Sequence, residues 1–131
     1  MAYTDKLDPE LEALMTAVYQ AGLEVHKYLG PGMLESAYKA AYVFELQRRH
    51  ISVETEVSLS IDYKGLLIPN AYRIDILAER KLPIELKAIE TLLPQHVAQL
   101  LTYMKFGGFE LGLLINFNAK LFKHGAQRVV L

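Results

Sequence analysis

The sequence contains no cysteine, almost no net charge and no long apolar run. Without cysteine, disulfide scaffolds, zinc–thiolate sites and cysteine nucleophiles are excluded. The 14 Lys and Arg residues against 15 Asp and Glu residues give a net charge of -1, which excludes a polybasic nucleic-acid-binding tail but leaves room for a locally positive groove. No apolar run approaches the roughly 18 residues of a membrane span. Residues 1–8 lack the basic-then-apolar order of a signal peptide, so we expect a soluble, cytoplasmic protein with no membrane partner.

Several hydrolase motifs are also missing. The chain has no Gly-x-Ser-x-Gly, no glycine-rich phosphate loop and no His-Glu-x-x-His, which leaves a small-molecule hydrolase without support. What is present is ample apolar material, because 52% of the 131 residues are hydrophobic. This length suits one hydrophobic core and is too short for two. We therefore expect a single domain that spans residues 1–131.

Helical signals dominate the first 50 residues. Asp8-Pro9-Glu10 combines an N-cap carboxylate, a proline at the first helical position and an acid in the first turn. Apolar residues then recur at helical spacing as far as about Tyr28. Gly30-Pro31-Gly32 ends this helix, and a second one is predicted from about Met33 to Arg49.

From residue 53 the hydrophobic period changes from helical to two, which predicts strands. The first runs from Val53 to Ile61 and turns at residues 62–65, and a return begins at residues 66–68 before a bulge or break at Pro69-Asn70. Further elements are predicted as strands at 72–78 and 82–88, a helix from about 94 to 106, a buried strand at 111–117 and a short strand pair joining 120–122 to 128–131. The order α-α-β-β-β-β-α-β-β predicts an α/β fold, a mixed sheet with helices on it.

Three charged residues on two of these strands suggest chemistry. Glu85 and Lys87 share a strand face while Leu86 points into the core, and an antiparallel neighbour can bring Asp75 beside them. Two carboxylates and a strand carbonyl suit Mg²⁺ or Mn²⁺, and a lysine there can orient a water molecule and offset charge at phosphorus. The alternative is a surface cross-strand salt bridge.

Two helical pairs add to this pattern. Glu35 lies in the first turn of the second helix, with Tyr38 about one turn on. Gln99 and Tyr103 stand four residues apart on the third helix. Taken alone, the first pair is explained by a helix-dipole acid and a half-buried tyrosine, and the second by the polar edge of an amphipathic helix.

Five stretches in this order resemble one family. They are His26 to Tyr38, Tyr72 to Asp75, Ile84 to Ala88, Gln99 to Tyr103 and Gly112 to Phe117. The chain is similar, from about residue 11 to residue 131, to the GxxExxY proteins, a branch of the PD-(D/E)XK nuclease superfamily. Ile74 stands where the superfamily name has its proline, a position that varies. The Gln-x-x-x-Tyr pattern is similar to that of RecB-type exonuclease domains.

The resemblance implies a restriction-endonuclease-like fold and a set of site residues. It makes Asp75 and Glu85 metal ligands and Lys87 the residue that positions water. The remaining implied roles are an acid from the helix for Glu35, a metal-facing backbone carbonyl for Leu86, and substrate contacts for Gln99, Tyr103 and Tyr38. His26 is either a further metal ligand or, the favoured interpretation, a cap for helix carbonyls.

We therefore expect a Mg²⁺- or Mn²⁺-dependent nuclease acting on DNA. Strong sequence specificity is not expected, because the chain has no helix-turn-helix or zinc-finger module, and the Gln-x-x-x-Tyr pattern suggests exonuclease-like action. The alternatives are a junction-resolving endonuclease dimer and a non-catalytic module that binds nucleic acid or a partner. The positive residues are dispersed in sequence, and a homodimer would double the footprint. They include Lys27, Lys39, Lys64, Arg73 and Lys105.

Overall fold

The structure is a computed structural model and describes residues 7–131. Most of the polar start used above to argue against a signal peptide, residues 1–6, lies outside the described residues. The elements are, in chain order, α1 (Pro9–Leu29), α2 (Glu35–Arg48), β1 (Val53–Tyr63), β2 (Leu66–Ala78), β3 (Leu82–Lys87), α3 (Pro94–Gly107), β4 (Leu111–Asn116), α4 (Phe122–Gly125) and β5 (Ala126–Val130). Although α1 has 21 residues, no helix within residues 7–131 is long and apolar enough to cross a bilayer.

The strands form one mixed sheet in the order β1-β2-β3-β4-β5. β3 and β4 are parallel, joined through α3, and the other neighbouring pairs are antiparallel. Helices lie against both faces of this sheet. The predicted α/β class, a mixed sheet flanked by helices, is confirmed.

β4 shows why its sequence is apolar throughout. Leu113 and Ile115 face the larger core, which α1 and α2 cover. Leu114, between them, faces the smaller core and packs with Leu100 and Met104 of α3. Because both faces of the strand are covered, alternation between polar and apolar residues is lost.

The ends of α1 and α3 confirm the local signals. Asp8 accepts a hydrogen bond from the Glu10 N–H at the start of α1, and Gly30 ends the helix with a φ of 68°. Gly108, in the left-handed region, ends α3 as predicted.

The predicted number of strands before α3 is wrong by one. Residues 66–78 form one continuous strand, with a register shift between Leu59 and Ile61 of β1. Asn70 takes a φ of 51° there, so the Pro69-Asn70 signal marks a bulge and no break. Exposed backbone on this part of the strand tolerates the missing N–H of Pro69.

The predicted strand at residues 120–122 is also wrong. Phe122 begins the short helix α4, and its buried ring lies so close to α1 that a Cβ on Gly22 would be 2.8 Å from it. A helical turn lets the chain place this ring in the core and continue directly into β5. The predicted strand at the end of the chain is confirmed by β5, which pairs with β4.

Candidate active site

The candidate site lies at a fork between two strands. β2 and β3 are paired as far as Ile76 and Ile84, and Asp75 and Glu85 are the next residues beyond that pair. Asp75 Oδ2 accepts a hydrogen bond from the Leu86 N–H at 3.0 Å. Since the N–H and C=O of a strand residue point toward the same edge, the Leu86 carbonyl also faces this fork. The predicted neighbourhood of Asp75 and Glu85 is therefore confirmed.

Glu85 is the most constrained group of the site. Its side chain is buried, its Oε2 lies 3.8 Å from Lys87 Nζ, and its Oε1 has no hydrogen-bond partner within residues 7–131. Burial, together with the charges of Asp75 and Glu35, raises the pKa of Glu85 to about 7 against the opposing charge of Lys87. Because Glu85 is buried and one of its oxygens lacks a positive partner, this group does not fit the alternative of a surface cross-strand salt bridge.

Glu35 is the first residue of α2 and is exposed, and its charge acts on Glu85. The preceding loop is held by Tyr38, whose hydroxyl donates to the Gly30 carbonyl at 2.5 Å and accepts from the Met33 N–H at 3.1 Å. Tyr38 is fully buried and stacks on Phe117 with ring centroids 4.9 Å apart. The structure therefore places the Tyr38 hydroxyl on the loop that leads to Glu35, and the expected substrate contact by Tyr38 stays a prediction.

His26 is not placed as a ligand of this site. Its Nε2 lies 2.7 Å from the Ala119 carbonyl oxygen, which it meets as a hydrogen-bond donor. The ring is buried and packs near Phe122, with centroids 5.8 Å apart. The structure thus places His26 as a cap, the favoured interpretation, although the carbonyl that it caps belongs to the turn after β4 and not to its own helix.

Helix α3 places the aromatic side chain of Tyr103 next to the carboxylates of Asp75 and Glu85. Burial raises the pKa of Tyr103, and the charges of Glu85 and Asp75 raise it further, while Gln99 one turn earlier lowers it. The Tyr103 ring stacks on Tyr72 of β2, with centroids 4.8 Å apart, and the buried Tyr72 hydroxyl has no hydrogen-bond partner in the described part of the chain. Sequence reasoning gave Tyr72 no role, because Tyr72 is three residues from Asp75 and residues three apart on a regular strand point to opposite faces of the sheet.

Asn116 fixes the chain directly after Lys87. It is buried at the end of β4, its Oδ1 accepts from the Ile89 N–H at 3.0 Å, and its Nδ2 donates to the Ile89 carbonyl at 2.9 Å. The Lys87 carbonyl accepts from the Phe117 N–H at 2.9 Å. Sequence reasoning gave Asn116 no role, and the available signal was a single amide at the end of an apolar central strand.

The donor set fits a hard divalent cation. Within residues 7–131, no three His or acidic side chains lie close enough to form a complete protein cage. Mg²⁺, however, is usually held by one or two carboxylates and keeps several waters. Asp75, the unpartnered oxygen of Glu85 and the Leu86 carbonyl supply oxygen donors of this kind, and a cation would offset the repulsion that raises the pKa of Glu85.

Comparison with known proteins gives one family. Residues 12–129 match a family model described as PD-(D/E)XK nuclease superfamily. No curated protein and no solved structure matches the chain. The matched region includes β1 to β4, β5 up to its penultimate residue, and all the residues placed around the fork.

Proposed function

The chain belongs to the PD-(D/E)XK nuclease superfamily, and from this premise we propose that it is a Mg²⁺- or Mn²⁺-dependent nuclease that hydrolyses phosphodiester bonds in DNA. The observation that carries the proposal is the unpartnered, buried Oε1 of Glu85 beside Asp75 and Lys87. Leaving such an oxygen without a partner costs stability, and a site that binds a cation explains why the fold keeps it.

Each residue of the fork has a separate task in this proposal. Asp75, Glu85 and the Leu86 carbonyl hold the cation, and Glu35 adds negative charge from α2. When bound, the cation stabilises the charge that develops on the phosphate oxygens. The Lys87 ammonium group, 3.8 Å from Glu85, orients the attacking water and offsets the same charge.

Two residues of α3 support a more specific assignment of the type of nuclease. Tyr103 borders the carboxylates and Gln99 lies beside Tyr103, and we assign both to holding the nucleic acid beside the cation. Their spacing supports exonuclease-like action without strong sequence specificity, and the motif set supports the GxxExxY branch of the superfamily.

A structure-specific endonuclease dimer is the second candidate. The tip of the β1–β2 hairpin exposes Tyr63, Leu66 and Leu67, each more than half accessible, and an exposed apolar group of this kind is typical of an interaction surface. Junction cleavage would need two copies of the site, and pairing through these tips would supply them.

The test is a cleavage assay with Mn²⁺ or Mg²⁺ on linear, closed circular, single-stranded and branched DNA, and on RNA. Wild type is compared with Asp75→Ala and Lys87→Ala, and Arg80→Gln serves as a surface control. Loss of cleavage in both site variants and full cleavage by the control would support the nuclease. Cutting of circular DNA would favour the endonuclease, and preference for branched DNA the dimer.

Metal binding separates the enzyme from a non-catalytic module. By calorimetry with Mn²⁺, we expect Asp75→Ala to lose binding and Lys87→Ala to keep it, because the ammonium group is no ligand. A wild-type protein that neither binds Mn²⁺ nor cleaves any substrate would contradict the proposal.

A further inference from the structure

Three charged side chains from three elements meet beside the candidate site. Glu56 of β1 bridges two cations: its Oε1 lies 3.0 Å from Arg73 Nε of β2, and its Oε2 contacts Lys39 Nζ of α2. We call these residues the Glu56 triad. Lys39 and Arg73 are 34 residues apart in sequence, so folding brings together positive charges that are dispersed along the chain.

The triad lies close, in sequence or in strand register, to the proposed site residues Glu35 and Asp75. Lys39 follows Glu35 by four residues on α2, which is one helical turn. Arg73 precedes Asp75 by two residues on β2. Glu56 falls between the ladder pairs Thr55–Ile76 and Val57–Ile74, so its register position is opposite Asp75.

The chemistry of the triad is that of a phosphate site. Arg and Lys together bind phosphate oxygens, the guanidinium group through directed N–H donors and the ammonium group as a compact charge. The three side chains are accessible, at 64% for Arg73, 22% for Lys39 and 44% for Glu56. One carboxylate against two cations leaves one net positive charge beside a predominantly acidic fork.

The backbone at Glu56 differs from that of an ordinary strand residue. Its φ is 54°, a left-handed conformation that costs a non-glycine residue free energy. Glu54, two residues earlier on β1, has no such φ and pairs with a single cation, Arg80 of the turn between β2 and β3, whose own φ is 56°. This pair therefore offers a matched comparison with a neutral surface salt bridge.

We propose that Lys39 and Arg73 form a phosphate-binding subsite for the nucleic-acid backbone next to the cleaved bond, and that Glu56 occupies this subsite in the free protein as a substitute for phosphate. The inference rests on the proposed nuclease function. It assigns the local positive charge that a chain with a net charge of -1 needs to hold a polyanion. It also assigns a role to the strained residue of β1.

The experiment measures binding of a fluorescein-labelled DNA oligonucleotide by anisotropy, in EDTA to prevent cleavage, over a series of salt concentrations. The variants are Lys39→Gln, Arg73→Gln and Glu56→Gln, with Arg80→Gln and Glu54→Gln as matched controls. Loss of either cation should weaken binding roughly threefold or more and reduce the salt slope by about 0.7 to 0.9. Glu56→Gln should bind more tightly than wild type and show a steeper slope.

Steady-state cleavage in Mn²⁺ gives a second readout, in which the cation variants should raise KM and leave kcat near that of wild type. If Lys39→Gln and Arg73→Gln bind like Arg80→Gln, and Glu56→Gln binds like Glu54→Gln, while wild type cleaves normally, the inference is overturned and the triad only fastens α2 to the sheet. Urea unfolding of every variant identifies that outcome, because a fastening role lowers stability without changing DNA binding. A wild-type protein that neither binds nor cleaves DNA would overturn the proposed function together with this subsite.

Discussion

At the scale of single residues, the fork holds a carboxyl group where water does not solvate it. Glu85 has its pKa raised to about 7 from an ordinary value of 4.5, first by burial and then by Asp75. A raised pKa in the folded state means that folding favours the protonated group. The stability that this provides is complete below pH 4.5 and is lost as the pH rises through about 7.

We therefore expect the metal-free protein to lose roughly 3 kcal/mol of unfolding free energy through Glu85 between these two pH values. Glu85→Gln cannot ionise, so the stability of this variant relative to that of wild type should increase as the pH rises. The measurement is urea unfolding in EDTA at several pH values for both proteins. A difference that does not change with pH would contradict the assignment to Glu85.

Asn116 carries the second prediction at this scale. Asn116→Ala leaves the Ile89 N–H without the amide oxygen that now accepts from it, and the Ile89 carbonyl loses the amide N–H. We expect the unfolding free energy to fall by about 1 to 3 kcal/mol, because the part-buried Ile89 N–H loses its acceptor, while the Ile89 carbonyl keeps a hydrogen bond from Asn118 Nδ2 at 3.3 Å. Cleavage should fall even at low temperature, where the variant remains folded, since Asn116 no longer holds the segment after Lys87. Unchanged unfolding in urea would show that water replaces the amide.

Residue placements differed in how far the sequence predicted them. The placement of Asp75, Glu85 and Lys87 was predictable, because strand periodicity fixes which side chains share a face. The contacts of Asn116 and Tyr72 were not, since their partners lie on elements whose approach depends on packing. The carbonyl that His26 contacts was not predictable for a related reason, because it is 93 residues away in the chain.

At the scale of elements, the start of α2 depends on one side chain. Leu34 provides no side-chain cap, and the loop before it is held by the two hydrogen bonds of the Tyr38 hydroxyl. Because Glu35 comes next, the position of this acid depends on that loop. The loop also donates a hydrogen bond from the Gly32 N–H to Asn118 Oδ1, at 3.0 Å.

We expect Tyr38→Phe to keep its ring stack on Phe117 and to release the loop. The Met33 amide should exchange with solvent faster, because its acceptor is gone, and the unfolding free energy should fall by about 1 to 2 kcal/mol. Hydrogen exchange of the Met33 amide is the measurement. Tyr42→Phe is the matched control, since it removes a buried hydroxyl from the same helix, bonded to the Val18 carbonyl, and should leave that amide unchanged.

Element boundaries followed local signals closely wherever a cap or glycine marked them. The errors arose where an apolar residue packs against a part of the chain that is distant in sequence. Phe122 is apolar and lies in a short segment, so a strand was a reasonable prediction, but its place is set by the space above Gly22 of α1. Pro69 gave a correct bulge signal and a wrong strand count, because exposed strands tolerate proline.

At the scale of the whole molecule, cation binding and folding are linked. A ligand that binds only the folded state adds about 2.7 kcal/mol of stability at one hundred times its dissociation constant. We expect Mn²⁺ to raise the Tm of wild type and not that of Asp75→Asn, measured by calorimetry. Glu54→Gln is the control and should keep the full response. An equal rise in Asp75→Asn would place the cation elsewhere.

The parallel pair of β3 and β4 has a consequence for the kinetics of folding. α1 with α2, and β1 with β2, can form from neighbouring stretches of chain, whereas β3 and β4 meet only after residues 88–110 have closed as a loop through α3. Closing a loop of this length is entropically costly and slows folding. The Asn116 contact with Ile89 forms at the same step. The proposed site can therefore form only after β4 has been synthesised, and we expect cleavage to return with the slowest refolding phase.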